Sequence, residues 1–228
     1  MANKLYSEGA VQNIADAIRQ KNGLSSTYKI SQMAQAILDL PSGGGGGLEL
    51  ITNEQRKALS VVSGSYSNIG SHAFTYCSNL TTVNLTGCTY IGSMAFASCS
   101  NLTTVNLPDC KSLYVSAFTS CSNLTTISLP ECTTVSSSAF RACGFTEISL
   151  PKCNYIGTFA FYSCTQLSKL YIGTSNCILT NTSAFVSTPF STSSYLGYFG
   201  SIYVPSARLS WYKGATNWKA YSARLVGY

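Results

Sequence analysis

Ten cysteines, at positions 77, 88, 99, 110, 121, 132, 143, 153, 164 and 177, are the residues of this 228-residue chain with the most chemistry to offer. Such thiols could pair as disulfides, bind a soft metal, act as nucleophiles, or sit in a core as small hydrophobes. Structural zinc sites want paired thiolates at C-x2-C spacing or Cys/His clusters. Here the closest cysteines, Cys143 and Cys153, are ten residues apart. The single histidine, His72, could serve as a base, and Asp109 with Glu131 could form the carboxylate pair of an acid–base site. No G-x-S-x-G or H-E-x-x-H motif accompanies them, and Gly43 to Gly47 follows no strand and precedes no Lys-Ser/Thr, so it cradles no phosphate. Asn79, Asn84, Asn101 and Asn123 each open an Asn-Leu-Thr glycosylation sequon.

The elements that must position these groups are set by a repeat. Ala-Phe recurs at 73–74, 95–96, 117–118, 139–140, 160–161 and 184–185, in steps of 22, 22, 22, 21 and 24. The cysteines keep the same period and fall into two columns. One follows Ala-Phe by three residues (Cys77, Cys99, Cys121, Cys143, Cys164); the other closes the strand-like stretch (Cys88, Cys110, Cys132, Cys153, Cys177). Leu102, Val105 and Leu107 have the L-x-x-L-x-L spacing of a leucine-rich-repeat strand. The spacing recurs at Leu80/Val83/Leu85, Leu124/Ile127/Leu129, Phe145/Ile148/Leu150 and Leu167/Leu170/Ile172, with Ile202/Val204 as a partial last rung. Such strands stacked ~4.8 Å apart make a parallel ribbon whose inner side chains form ladders of like residues. In the turns, Ala permits close backbone approach and Phe fills the arc.

The repeat also decides the chemistry. Neighbouring rungs would place column cysteines ~4.8 Å apart at Cα, inside the disulfide window, but stacked side chains point in parallel and a bridge would twist both rotamers. Reduced, buried ladders are therefore expected. His72 shares its position with Met94, Ser116, Ser138 and Phe159, a set without a common chemistry, so an exposed turn residue is expected. Asp109 and Glu131 share a column with Lys152, which reads as a solvated charge ladder. The Asn-Leu-Thr triplets are repeat consensus with a strand role.

Only 10% of residues are charged, against roughly 25% in an average soluble domain. Mean hydropathy is +0.14, yet no run approaches the ~20 apolar residues of a membrane helix, because Ser, Thr, Asn and Gly fill the polar positions. Met1 to Glu8 carries no apolar h-region, so no secretory signal is read there and synthesis in the cytoplasm is expected. The net charge of +6 collects at the end: beyond Lys169 there is no acidic residue, whereas Arg208, Lys213, Lys219 and Arg224 are basic.

The pattern I-G-x-x-A-F-x-x-C-x-x-L-x-x-[VI]-x-L-P, clearest from Ile91 to Pro108, resembles the BspA-type leucine-rich repeats of bacterial surface proteins over about residues 66–204. The resemblance implies a right-handed leucine-rich-repeat solenoid, rich in parallel β ribbon with short turns, that binds or adheres without enzymatic chemistry and without a cofactor. Residues 205–228, with Tyr212, Trp218, Tyr221 and Leu225, resemble the terminal cap of such arrays. Open solenoids need caps because the last rung otherwise exposes strand edge and core.

Residues 1–42 are different material. Val11, Ile14, Ala15 and Ile18 fall at helical spacing, and a second helix is expected from about Ser31 to Leu40, ahead of Pro41. Residues 43–47 form a flexible glycine linker, and 48–65 the N-terminal cap of the solenoid, with Thr52 and Gln55 as a capping box. The stretch from Ile14 to Lys21, followed by Tyr28 to Ile30 and Met33 to Ile37, resembles a helical segment of tail- and baseplate-related proteins of phages and prophages of gram-positive bacteria. Two helices in ~40 residues rarely hold a stable core alone, so this module is expected to self-associate or dock, or to fold back on the solenoid as a hairpin.

Strand alternation assigns the candidate ligand-binding face: Thr82, Asn84, Thr104, Asn106, Thr126, Ser128, Glu147, Ser149, Lys169, Tyr171 and, on the last rung, Tyr203. The first three rungs are small and uncharged. Charge and aromatics enter on the later ones, and Tyr195, Tyr198, Trp211, Tyr212 and Trp218 lie nearby in sequence. The expected function is recognition of a protein or glycan, at a cell surface or on a prophage tail; the alternative is a purely structural spacer of a phage-like particle. Four dispersed basic residues are few for nucleic acid, whose binding would show a steep salt dependence.

Overall fold

The computed structural model describes residues 58–173, 176–191 and 199–228, all within the unit Arg56–Tyr228. The expected helices of 1–42, the glycine linker, the capping box at Thr52, and Tyr195 and Tyr198 lie outside the described residues.

Each repeat contributes one longer strand and one two-residue strand. In chain order these are β1 (Val61–Ser65), β2 (Asn68–Ile69), β3 (Thr82–Thr86), β4 (Tyr90–Ile91), β5 (Thr104–Asn106), β6 (Ser112–Leu113), β7 (Thr126–Ser128), β8 (Thr134–Val135), β9 (Glu147–Leu150) and β10 (Tyr155–Ile156). β11 (Lys169–Ile172), β12 (Ile178–Leu179), β13 (Ser201–Val204), a one-and-a-half-turn helix α1 (Leu209–Gly214) and β14 (Leu225–Gly227) complete them. Every pairing is parallel. The short strands form one continuous six-stranded ladder from β2 to β12. β1 is itself a rung, paired with β3, so the last five residues of the segment assigned to the N-terminal cap belong to the stack.

The inward positions repeat with the period. Ile91, Ala95, Phe96, Cys99, Leu102, Val105, Leu107 and Cys110 are all fully buried, as are most of their equivalents in adjacent units. The Ala-Phe phenylalanines stack from Phe74 through Phe96, Phe118, Phe140 and Phe161 to Phe185, with ring centroids 5.1 to 5.8 Å apart. At about 25 cal/mol per Å² of apolar surface, this stack is a large part of what holds neighbouring rungs together. The turns bond along the stack as well: Phe74, Phe96, Phe118 and Phe140 donate their N–H to Ala95, Ala117, Ala139 and Ala160 at 2.7 to 2.8 Å. Two residues flanking each of the first five Ala-Phe pairs take left-handed backbone conformations, such as Met94 (φ 55°) with Ser98 (φ 58°) and Ser116 (φ 58°) with Ser120 (φ 60°).

The long strands do not form one ribbon. They divide into ladders β1-β3-β5-β7 and β9-β11-β13-β14. The division falls at the one unit with a step of 21, where Cys143-Gly144-Phe145 replaces the four-residue Cys-Ser-Asn-Leu of the preceding unit and Cys-Thr-Gln-Leu of the following one. The missing residue pulls the turn against the preceding rung: a Cβ on Gly144 would lie 2.1 Å from the Ser122 carbonyl oxygen. Elsewhere a rail of Thr or Ser links the rungs, the N–H and hydroxyl of Thr103 both donating to Thr81 O at 2.9 and 3.1 Å, and those of Thr125 to Thr103 O. Among the described residues no such bond joins Thr146 to Thr125. Ile127 of β7 is only half-buried, whereas its neighbours Val105 and Ile148 are buried.

The C-terminal cap replaces a missing rung with side chains. Beyond β12, the Tyr212 hydroxyl accepts from Cys177 N (3.1 Å), Trp218 Nε1 donates to Cys177 O (2.7 Å), and Asn217 Nδ2 donates to Leu179 O (2.8 Å). The Tyr221 hydroxyl donates to Thr182 O. Backbone groups at the open edge of β12 are thereby satisfied. β14 covers β13 in the other ladder.

Candidate recognition face

The outward residues stand in register. Thr82, Thr104 and Thr126 form one column and Asn84, Asn106 and Ser128 another, across β3, β5 and β7. In the second ladder Glu147, Lys169 and Ser201 align, and beside them Ser149, Tyr171 and Tyr203. All are exposed or half-buried, as strand alternation requires. The structure thus brings each predicted column together, but on two ladders rather than one continuous ribbon.

The two halves differ in what they leave available. On the first ladder Asn106 Nδ2 donates to Asn84 Oδ1 at 2.9 Å, so the amides partly satisfy each other. On the second, Lys169 Nζ stands 3.7 Å from Glu147 Oε2 with both side chains at least half exposed, a pair of little energetic worth. The Tyr171 and Tyr203 rings stack, centroids 4.6 Å apart and 10° from parallel, and Tyr228 meets Tyr171 edge-on at 6.3 Å.

β14 adds residues that the sequence reading missed. Val226 is exposed on it and Tyr228 just beyond it, and Arg224, just before it, lies 3.8 Å above the exposed Phe199 ring. The alternation in Leu225-Val226-Gly227-Tyr228 was the available signal, masked by the assignment of the whole tail to a cap. The other C-terminal aromatics divide. Tyr212, Trp218 and Tyr221 are buried in the cap, and Trp211 stays partly exposed against the Tyr212 ring.

The groups with catalytic potential are spent structurally. All ten cysteines are buried and unbridged. In the first column four thiols donate to a carbonyl of the preceding rung: Cys99 to Phe74 O, Cys121 to Phe96 O and Cys143 to Phe118 O at 3.1 Å, and Cys164 to Phe140 O at 2.9 Å. In the second, Cys88, Cys110, Cys132 and Cys153 donate to the carbonyl two residues on. Burial pushes the Cys88 thiol up to about 11 and those of Cys110, Cys121 and Cys164 up to about 12, so the reactive thiolate is suppressed. Asp109 accepts from Gly87 N at 2.7 Å, and Glu131 is held by Lys152 at 2.6 and 2.7 Å, so the two carboxylates are engaged with different partners. His72 is exposed at a left-handed turn position (φ 60°).

The profile of the BspA type leucine rich repeat region matches residues 57–168 and 108–202, well over half the chain. The chain belongs to this family. Its BspA-type units are the 22-residue rungs described above, and the fold is a leucine-rich-repeat solenoid. No curated protein matches. Among solved structures, a leucine-rich repeat protein of T. pallidum is 28% identical, with a TM-score of 0.42, over 58% of this chain and 56% of its own. A leucine rich cell surface protein of Faecalibacterium prausnitzii is 23% identical (TM-score 0.43; 66% and 56% covered), and a leucine-rich repeat protein of Bacteroides ovatus is 21% identical (TM-score 0.44; 65% and 58%). The chain spans a little over half the length of these three proteins. Among the described residues no helix is long and apolar enough to cross a membrane.

Proposed function

We propose that this BspA-type repeat is a non-enzymatic recognition and adhesion protein that holds a protein or glycan ligand on its strand face, chiefly over β9, β11 and β13. The observation that carries the proposal is the contrast between the two ladders. The first offers small polar groups that partly satisfy one another; the second places exposed charge and a tyrosine stack on a rigid hydrogen-bonded frame. Tyrosine is a favoured binding anchor because it combines apolar area, a polar tip and little side-chain entropy. Residues 1–42 would attach the solenoid to a larger assembly, a cell surface or a phage-like tail.

The test immobilises the full chain and compares it with two triple variants. Lys169→Ala/Tyr171→Ala/Tyr203→Ala should abolish capture of cell-surface glycans or proteins, and Thr82→Ala/Thr104→Ala/Thr126→Ala should preserve it. Equal binding by both variants refutes the assignment. A structural-spacer reading draws on the Asn84–Asn106 bond and the Thr rail, which stiffen the stack without a ligand. Under it the chain binds nothing, and light scattering of the full chain shows a defined oligomer.

A further inference from the structure

The spacing of the Tyr171 and Tyr203 rings fixes their orientation. Their centroids are 4.6 Å apart, close to the ~4.8 Å between neighbouring strands, and the planes are 10° from parallel. The ring normals therefore run from strand to strand. Tyr203 covers one face of Tyr171, and the other looks toward β9, where the register partner is Ser149. A serine is too short to cover that face. Tyr228 approaches from the β14 side, its hydroxyl 3.5 Å from Ile172 O and its ring at 79° to Tyr171. The result is a ledge: an aromatic wall on Tyr171, a floor at the exposed Ser149, and a rim on which Lys169 and Glu147 stand side by side.

We infer that this ledge is a subsite for a neutral pyranose of a glycan. A sugar ring has an apolar face of C–H bonds, slightly positive at hydrogen, which complements the negative face of an aromatic ring. Its edge carries hydroxyls that both donate and accept, which suits Glu147 as acceptor, Lys169 as donor and Ser149 as either. The ammonium and carboxylate cancel, so the rim offers no net attraction to a cationic side chain or to an acidic sugar, and its donors and acceptors suit an uncharged polar ligand. Closure of the first ladder's amides on each other leaves the ledge as the step in an otherwise small-residue face.

The inference deepens the recognition reading of the same face and rests on it. The full chain is screened on an array of neutral hexopyranose glycans, and the strongest hit is titrated calorimetrically. Ser149→Tyr extends the tyrosine stack by one rung and covers the open Tyr171 face without removing a contact; Tyr171→Ala removes the wall. Both should weaken the hit by about tenfold or more, and Thr104→Ala on the other ladder should leave it within about twofold. An unchanged urea midpoint and melting temperature show that Ser149→Tyr is folded. Glycan binding unaffected by Ser149→Tyr overturns the subsite and leaves recognition standing. No glycan bound, with a defined protein ligand still lost in the Lys169/Tyr171/Tyr203 variant, overturns the ligand class alone. A full chain that binds neither glycan nor protein overturns the two readings together.

Discussion

Gly144→Ala is the most informative single perturbation of this fold, because one methyl group tests why the strand face is divided. The new Cβ would stand 2.1 Å from the Ser122 carbonyl oxygen and 3.1 Å from its carbon, contacts with backbone that no side-chain rotation relieves. Restoring ordinary contact means parting the two rungs by more than about 1 Å at a turn already one residue short, and overpacking of that kind costs about 3 kcal/mol, the upper end of its usual range. For a folded unit of this size each kcal/mol is worth about 2–4 °C, so the melting temperature should fall by roughly 6–12 °C. Gly70→Ala is the control, since a Cβ there meets nothing within 4 Å. Both are read by calorimetry and by urea unfolding. Because each rung contacts only its neighbours, Gly144→Ala should also weaken coupling across the divide and broaden or split the transition. Inserting one residue after Gly144, which restores the step of 22, should make the alanine tolerated. If Gly144→Ala melts with Gly70→Ala, or the insertion rescues nothing, the short turn does not hold the rungs together and the explanation of the divided ladder fails.

Other consequences are as direct. Tyr212→Phe strands the buried Cys177 N–H at the edge of β12 and should cost about 1–3 kcal/mol, read as a lower urea midpoint; an unchanged midpoint would show that the cap holds by packing alone. Ser120, at φ 60°, carries left-handed strain of ~1–2 kcal/mol that glycine relieves, offset by ~0.5–1 kcal/mol of chain entropy. Ser120→Gly should therefore be neutral to mildly stabilising and Ser120→Val clearly destabilising, a ranking that thermal melts check. The buried thiols should react with a thiol reagent only at the rate of unfolding at pH 7 to 8, and fast labelling of several would contradict the ladder. Their folded pKa values are raised, so the unfolded state loses protons first: stability is full below the ordinary thiol value of 9.0 and falls as pH climbs through about 11 to 12. Denaturation midpoints of the reduced protein between pH 8 and 11 measure that fall.

Much of this was legible in the sequence because a repeat prints its structure many times. The columns of Phe, Cys and Leu at a step of 22 announce which side chains stack, and the outward Thr82, Asn84, Lys169 and Tyr171 follow from alternation alone. The buried fate of the cysteines was legible for the same reason, but the carbonyls they donate to were not, since those bonds cross rungs 24 or 25 residues apart. β14 was hidden inside a tail whose aromatics pack a cap, and with it Tyr228 and Arg224.

Periodicity alone therefore determined the rung, the core and the face, because each unit must bury the same edge against a copy of itself. The deletion beside Gly144 was visible as a step of 21, but a step says nothing about which hydrogen bonds it costs. Only the tertiary structure decided that the division falls between β7 and β9, that among the described residues no hydrogen bond joins Thr146 to Thr125, and that the Tyr171 and Tyr203 rings stack. Those outcomes depend on distances between different rungs, and such distances are set by the packing of the whole stack rather than by the residues of any one repeat.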